Sequence, residues 1–198
     1  MDFLKRMQSL LDSTRTVDFL GPLALRLYLA PVFWFAGMNK FNSFEDTAAW
    51  FGNPDWGLGL PFPTLMAGLA TGAEVLGAIA LVVGLGTRWF AVPLMFTMLV
   101  AIAKVHGHNG WQAIADPMSP WANANVEGAV DRLGKAKSLL REHGNYDWLT
   151  ETGNFVVSNN GFEWAATYFV MLLALFFIGS GKLSVDQLIA GRFSKSTL

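Results

Sequence analysis

The chain contains no cysteine. Disulfides, thiolate nucleophiles, Cys-ligated zinc and iron–sulfur clusters are therefore outside its chemistry. Charge is also scarce: Asp, Glu, Lys and Arg make up 15% of 198 residues, against roughly 25% in an ordinary soluble domain. So little polar surface cannot solvate a globule of this size. Neither sign dominates, since 14 Lys and Arg oppose 15 Asp and Glu and the pI is near 6.3. That leaves no basic field to draw nucleic acid. No glycine-rich phosphate cradle, HExxH or Ser–His–Asp arrangement is visible. Residues 1–18 lack the apolar core and small-residue cleavage site of a secretory signal. Apolar residues, in contrast, are plentiful: 53% of the chain is hydrophobic, with 16 Phe and 8 Trp, and mean hydropathy is +0.36. This is the composition of a membrane protein.

A spanning helix needs about 20 mostly apolar residues. Stretches of that kind lie at 19–40, 64–86, 88–106 and 161–180. Backbone groups in lipid must pair internally, so helices are the natural choice. The expected fold is all-α: one membrane domain over 1–198, built as a four-helix transmembrane bundle. Pro31 and Pro93 fall inside spans, where they kink helices without ending them. "GLGTR" (84–88) leaves room for a tight turn only, making spans two and three antiparallel neighbours. Trp50, Phe51, Trp56 and Phe62, in the loop at 41–63, suit a membrane interface. Phe3, Leu4, Met7, Leu10 and Leu11 recur at helical spacing. They make residues 1–18 either a short amphipathic helix on the membrane surface or a frayed tail. Between spans three and four lies a long outer insertion, 107–160. It carries a helix near 123–146, capped by Asn125 and stopped by Gly144, that docks on the interface or stays solvated. Lys5, Arg6, Arg15, Arg88, Lys182, Arg192 and Lys195 gather in the segments that share a side in a four-span topology. Both termini are thus expected in the cytoplasm, with the chain in a bacterial inner membrane.

Ionisable groups inside spans are the candidates for function. Glu74 sits near the centre of span two, where a charge costs roughly 2.5–3.5 kcal/mol even on insertion scales. Its expected partner is Arg26, about four residues from the centre of span one, an offset of ~6 Å. Arginine does not deprotonate, so pairing suits it. The pair either fixes helix register or lines a pocket for a ligand or proton. Gly68, Gly72, Ala73 and Gly77 should let a neighbouring helix approach. At the outer level, His106, His108 and Glu163 could ligate copper or zinc, or be solvated helix ends. Haem would want axial ligands on different helices, and both histidines lie on one span.

Several of these residues carry a resemblance. Arg26 is followed by Gly37 and Lys40 near the end of span one, and Leu-Pro precedes span two. Glu74 is followed by Gly77, Gly-Leu-x-Thr-Arg makes the turn, His106 ends span three, and "GSGKLSVDQLI" (179–189) lies near the end of the chain. Together they resemble the DoxX family of four-helix bacterial and archaeal membrane proteins. The insertion departs from ordinary members. With "REHGNYDWLTETG" it resembles a subgroup found beside biosynthesis genes for copper-binding ribosomally made peptides. The resemblance implies a membrane accessory protein in redox-linked maturation or handling of such a peptide. Quinone or copper is the implied cofactor, and a maturation or oxidoreductase protein the implied partner. Whether the chain is itself catalytic, or a non-catalytic or quinone-linked subunit, stays open. A small-molecule or metal transporter working as a homo-oligomer is the alternative, although no inverted repeat or pair of broken helices is evident.

Overall fold

The computed structural model describes residues 2–195 and is all-helical, with no strands among them. The side chain of Lys195, counted above for orientation, lies outside the described set. Two compact units form. One comprises the chain up to Thr97 and from Tyr168 onward, the other Met98–Thr167.

The first unit opens with α1, Asp2–Ser13, and a 3-10 turn, Thr14–Val17. Helix α2, Leu20–Asn42, runs through Pro31. A short helix that composition did not announce, α3 (Phe44–Gly52), follows. Its last carbonyls are taken by the loop folding back: the Leu58 amide donates to the Trp50 carbonyl (2.9 Å) and the Leu60 amide to Phe51 (2.8 Å). This return buries Phe51, expected at the interface, to 6% exposure, while Trp56 and Phe62 remain exposed. Helix α4, Pro63–Val83, starts on a proline at its first turn, where a missing N–H is harmless, and ends at Gly84 (φ +69°). Helix α5, Thr87–Val100, runs through Pro93.

Among the described residues, three helical segments are long and apolar enough to cross a membrane: Leu20–Asn42, Pro63–Val83 and Thr87–Asn109. Leu29, Phe33, Leu81, Leu94, Leu172 and Leu175 form the fully buried core. Many large apolar side chains on the same helices, among them Phe35, Leu76, Trp89, Phe96 and Phe177, stay exposed. Water would punish such a belt; hydrocarbon does not. Helix α2 packs along α4, and α3 covers the first part of α4.

In the second unit, the helical backbone widens to a π-helical stretch at Ala101–His106. Helix α6, Ala124–His143, is capped by Asn123, whose side chain accepts from the Asn125 and Val126 amides; the cap is thus two residues earlier than expected, while Gly144 does end the helix. A one-turn helix, α7 (Tyr146–Leu149), follows. Residues 110–115 and 157–163 then run antiparallel, joined by backbone bonds such as Ala115 N–H to Val157 O (3.0 Å) and Phe162 N–H to Gly110 O (3.0 Å). This pairing takes Gly161 and Phe162 out of the expected fourth span. Helix α8 is accordingly Glu163–Ile178, 16 residues, or about 24 Å. The last described element is α9, Val185–Lys195.

Candidate functional site

Arg26 and Glu74 are both buried, at 1% and 3% exposure, as intramembrane positions required. Their expected partnership is not what forms. Glu74 pairs instead with Lys40, whose Nζ lies 2.7 Å from Glu74 Oε2. Arg26 donates through Nη2 to the Leu183 carbonyl at 2.6 Å.

The register of the α2–α4 packing explains the exchange. Gly37 lies over Glu74 and Val75: a Cβ there would come within 3.0 Å of the Glu74 Cβ. Further along, Arg26 lies against Gly84, where a Cβ would overlap its guanidinium. Ten residues separate Glu74 from Gly84, or ~15 Å of helix, beyond an arginine's reach. The expectation assumed that the span centres coincide. They do not, because α2 extends to Asn42 and α3 takes over against the start of α4.

The Lys40–Glu74 site therefore rests on two glycines. Gly37 permits α2 to close on α4, and Gly77 permits Leu94 of α5 to do so, since a Cβ on Gly77 would lie 2.9 Å from Leu94 Cδ1. Gly72 touches nothing within 4 Å, and Gly68 meets only the tip of Phe44 at 3.9 Å. Of the three glycines expected in the small-residue seam on α4, Gly77 alone makes a close approach. Lys40 also reaches the Ala36 carbonyl at 3.4 Å. The lysine side chain is 26% exposed and the Glu74 side chain 4%, so the ammonium is the more open member of the pair. Lys40 was legible in the sequence as the basic residue after Gly37, but its place at the end of span one grouped it with the outer polar residues and not with Glu74.

A second polar centre surrounds Arg26. The Asp186 carboxylate accepts from the Gly86 amide (2.7 Å) and the Thr87 amide (3.3 Å), capping the start of α5 from elsewhere in the chain. Its own amide donates to the Gly84 carbonyl at 3.0 Å. Nε and Nη1 of Arg26 and Oγ1 of Thr87 are buried without a hydrogen-bond partner among the described residues.

In the second unit, His106 Nδ1 lies 3.0 Å from the Asn160 carbonyl, and Asn160 adopts the left-handed conformation (φ +57°). A carbonyl only accepts, so Nδ1 carries the proton. Glu163 Oε2 accepts from the Ala113 amide at 3.0 Å, and His108 is exposed. Each outer residue thus has a structural occupation or faces outward. Among the described residues, no three His, Asp or Glu side chains gather to hold a metal ion.

An all-α chain with membrane-length helices and a part-buried ion pair between two of them is an integral membrane protein. The DoxX family model matches residues 21–107. Inner membrane protein YphA of Escherichia coli (strain K12) is 32% identical over 112 residues, 54% of this chain and 76% of YphA. A Bacillus subtilis (strain 168) protein named "Putative oxidoreductase CatD" is 33% identical over 86 residues, 43% of this chain and 60% of CatD. No solved structure matches. The chain belongs to the DoxX family. Gly37, Lys40, Glu74, Gly77 and the turn at 84–88 all fall inside the matched region, whereas most of the second unit lies beyond it.

Proposed function

We propose that this chain is an accessory subunit of an oxidoreductase system in a bacterial cytoplasmic membrane. In this reading, Lys40 and Glu74 hold the polar end of a membrane-dissolved redox carrier. The observation that carries it is the accessible ammonium set on a nearly inaccessible carboxylate. An ammonium has three donors. Glu74 takes one at 2.7 Å, and Ala36 engages another at 3.4 Å. A quinone ring carbonyl fits the remaining donor, and such a carrier would supply the electron chemistry. Glu74 holds the Lys40 ammonium in place at 2.7 Å. CatD's name supports a redox setting.

The second unit, mostly outside the family match, is where a maturation partner would be chosen. The copper-binding peptide implied by the resemblance fits this role as a partner that brings its own metal ligands, since no three-ligand group assembles in this chain. Four crossings with both termini in the cytoplasm are part of the same reading. Lys182 Nζ lies 2.6 Å from Asp18 Oδ1, so the segment before α2 and the segment after α8 share a side. This supports an even number of spans, in which α8 serves as the fourth.

The test is lipid extraction from the detergent-purified protein, with electrochemical detection of redox-active lipids. Wild type should yield a carrier at near-equal stoichiometry. Lys40→Met and Glu74→Gln should each retain at least about tenfold less, the loss expected for a hydrogen bond to a charged group, with helix content unchanged by circular dichroism. A wild-type protein free of any such carrier would overturn the reading.

A further inference from the structure

Three segments remote in sequence meet at one end of the first unit. Asp186 holds the turn at Gly86 and Thr87, Leu183 holds Arg26, and Lys182 holds Asp18. These bonds set the base of α1 and the base of α9 at the same place. Each helix leaves an apolar face open. On α1, Phe3, Leu4, Leu10 and Leu11 are 60–72% exposed. On α9, Leu188 and Ile189 are exposed.

We propose that α1 and α9 are paired docking helices for the anionic lipid surface of one leaflet, the one at the Arg26 end of α2. The occupant follows from continuity and charge. Only residues 14–19, themselves largely a helical turn, separate α1 from the membrane-crossing α2, so α1 cannot travel far from the interface. Its apolar face continues into exposed Val17 and Leu20. Asp12 is held by Arg15 at 3.5 Å and Asp18 by Lys182 at 2.6 Å. That leaves Lys5 and Arg6 without a carboxylate partner among the described residues, facing lipid phosphate. Sequence periodicity pointed to α1 alone. The tie to α9, and hence the shared leaflet, comes from the tertiary bonds, and it stands apart from the Lys40–Glu74 reading.

The absence of cysteine makes the test direct. Full-length protein carrying one nitroxide, at Leu10→Cys, Ser9→Cys, Leu188→Cys or Gln187→Cys, is reconstituted into vesicles. These consist of phosphatidylcholine alone or mixed with phosphatidylglycerol. Labels at 10 and 188 should collide with oxygen and be shielded from a nickel chelate, and labels at 9 and 187 should do the reverse. An impermeant thiol reagent should reach unlabelled Ser9→Cys and Gln187→Cys from the same side. With phosphatidylglycerol present, Lys5→Gln or Arg6→Gln should lower the docked-to-free ratio at position 10 by about fivefold per charge. Uniform accessibility along α1, or labelling of the two helices from opposite sides, would overturn the proposal. Equal docking in both vesicle types would overturn the anionic assignment. Spin–spin broadening between copies at position 10 would hand the face to a second copy instead.

Discussion

Two cations sit inside the first unit, and they are stabilised in opposite ways. Lys40 is partly exposed and meets a full countercharge at 2.7 Å. Arg26 is almost wholly buried, with one backbone carbonyl as its hydrogen-bond acceptor and two nitrogens unpartnered. Asp186, the acid nearest to Arg26 in effect, spends its oxygens on the Gly86 and Thr87 amides. The first arrangement concentrates charge at a point a ligand can approach. The second spreads polar demand over backbone groups and locks three chain segments together. Burial alone would rank Arg26 as the functional residue; partner chemistry and access rank Lys40 and Glu74 above it.

Substitutions should separate the two centres by unfolding free energy in detergent micelles. The largest effect is expected for Lys40→Met, a loss of about 3–5 kcal/mol, because it strands the Glu74 carboxylate. Adding Glu74→Leu should recover most of that loss, and a double variant as unstable as the single would show that the pair is not an energetic unit. Gly84→Ala comes next, at about 2–4 kcal/mol. A left-handed backbone and an overlap with Arg26 act together there, and a thermal midpoint equal to wild type would contradict this packing. Arg26→Met should lose only about 1–2 kcal/mol, mostly for the orphaned Leu183 carbonyl. If it proves worse than Lys40→Met, the comparison is inverted. Asp186→Ala removes a helix cap worth about 1 kcal/mol. Faster amide exchange confined to the first turn of α5 is its signature. Smallest is Lys182→Gln, below about 1 kcal/mol, since both partners of that pair are more than half exposed.

Much of the site was legible as residue types but not as partnerships. Gly37, Lys40, Glu74, Gly77 and Asp186 all stand out in the sequence pattern. Which pairs meet depends on how far one helix slides along another, and hydropathy does not encode that sliding. Assuming aligned span centres moved the expected contact by about three helical turns. Phe51 went wrong for a related reason: its burial depends on a loop folding back on α3, which leaves no periodic trace.

The sequence by itself determined the solvent. Apolar runs of spanning length and few charges commit the backbone to helices that satisfy their own hydrogen bonds in lipid, whatever their packing. Only the tertiary structure decided that Lys40 neutralises Glu74, that Arg26 belongs to the closing segment, and that the two terminal helices share one end. Those outcomes rest on helix register and on close approaches at Gly37 and Gly84, where contact is possible because a single side chain is missing.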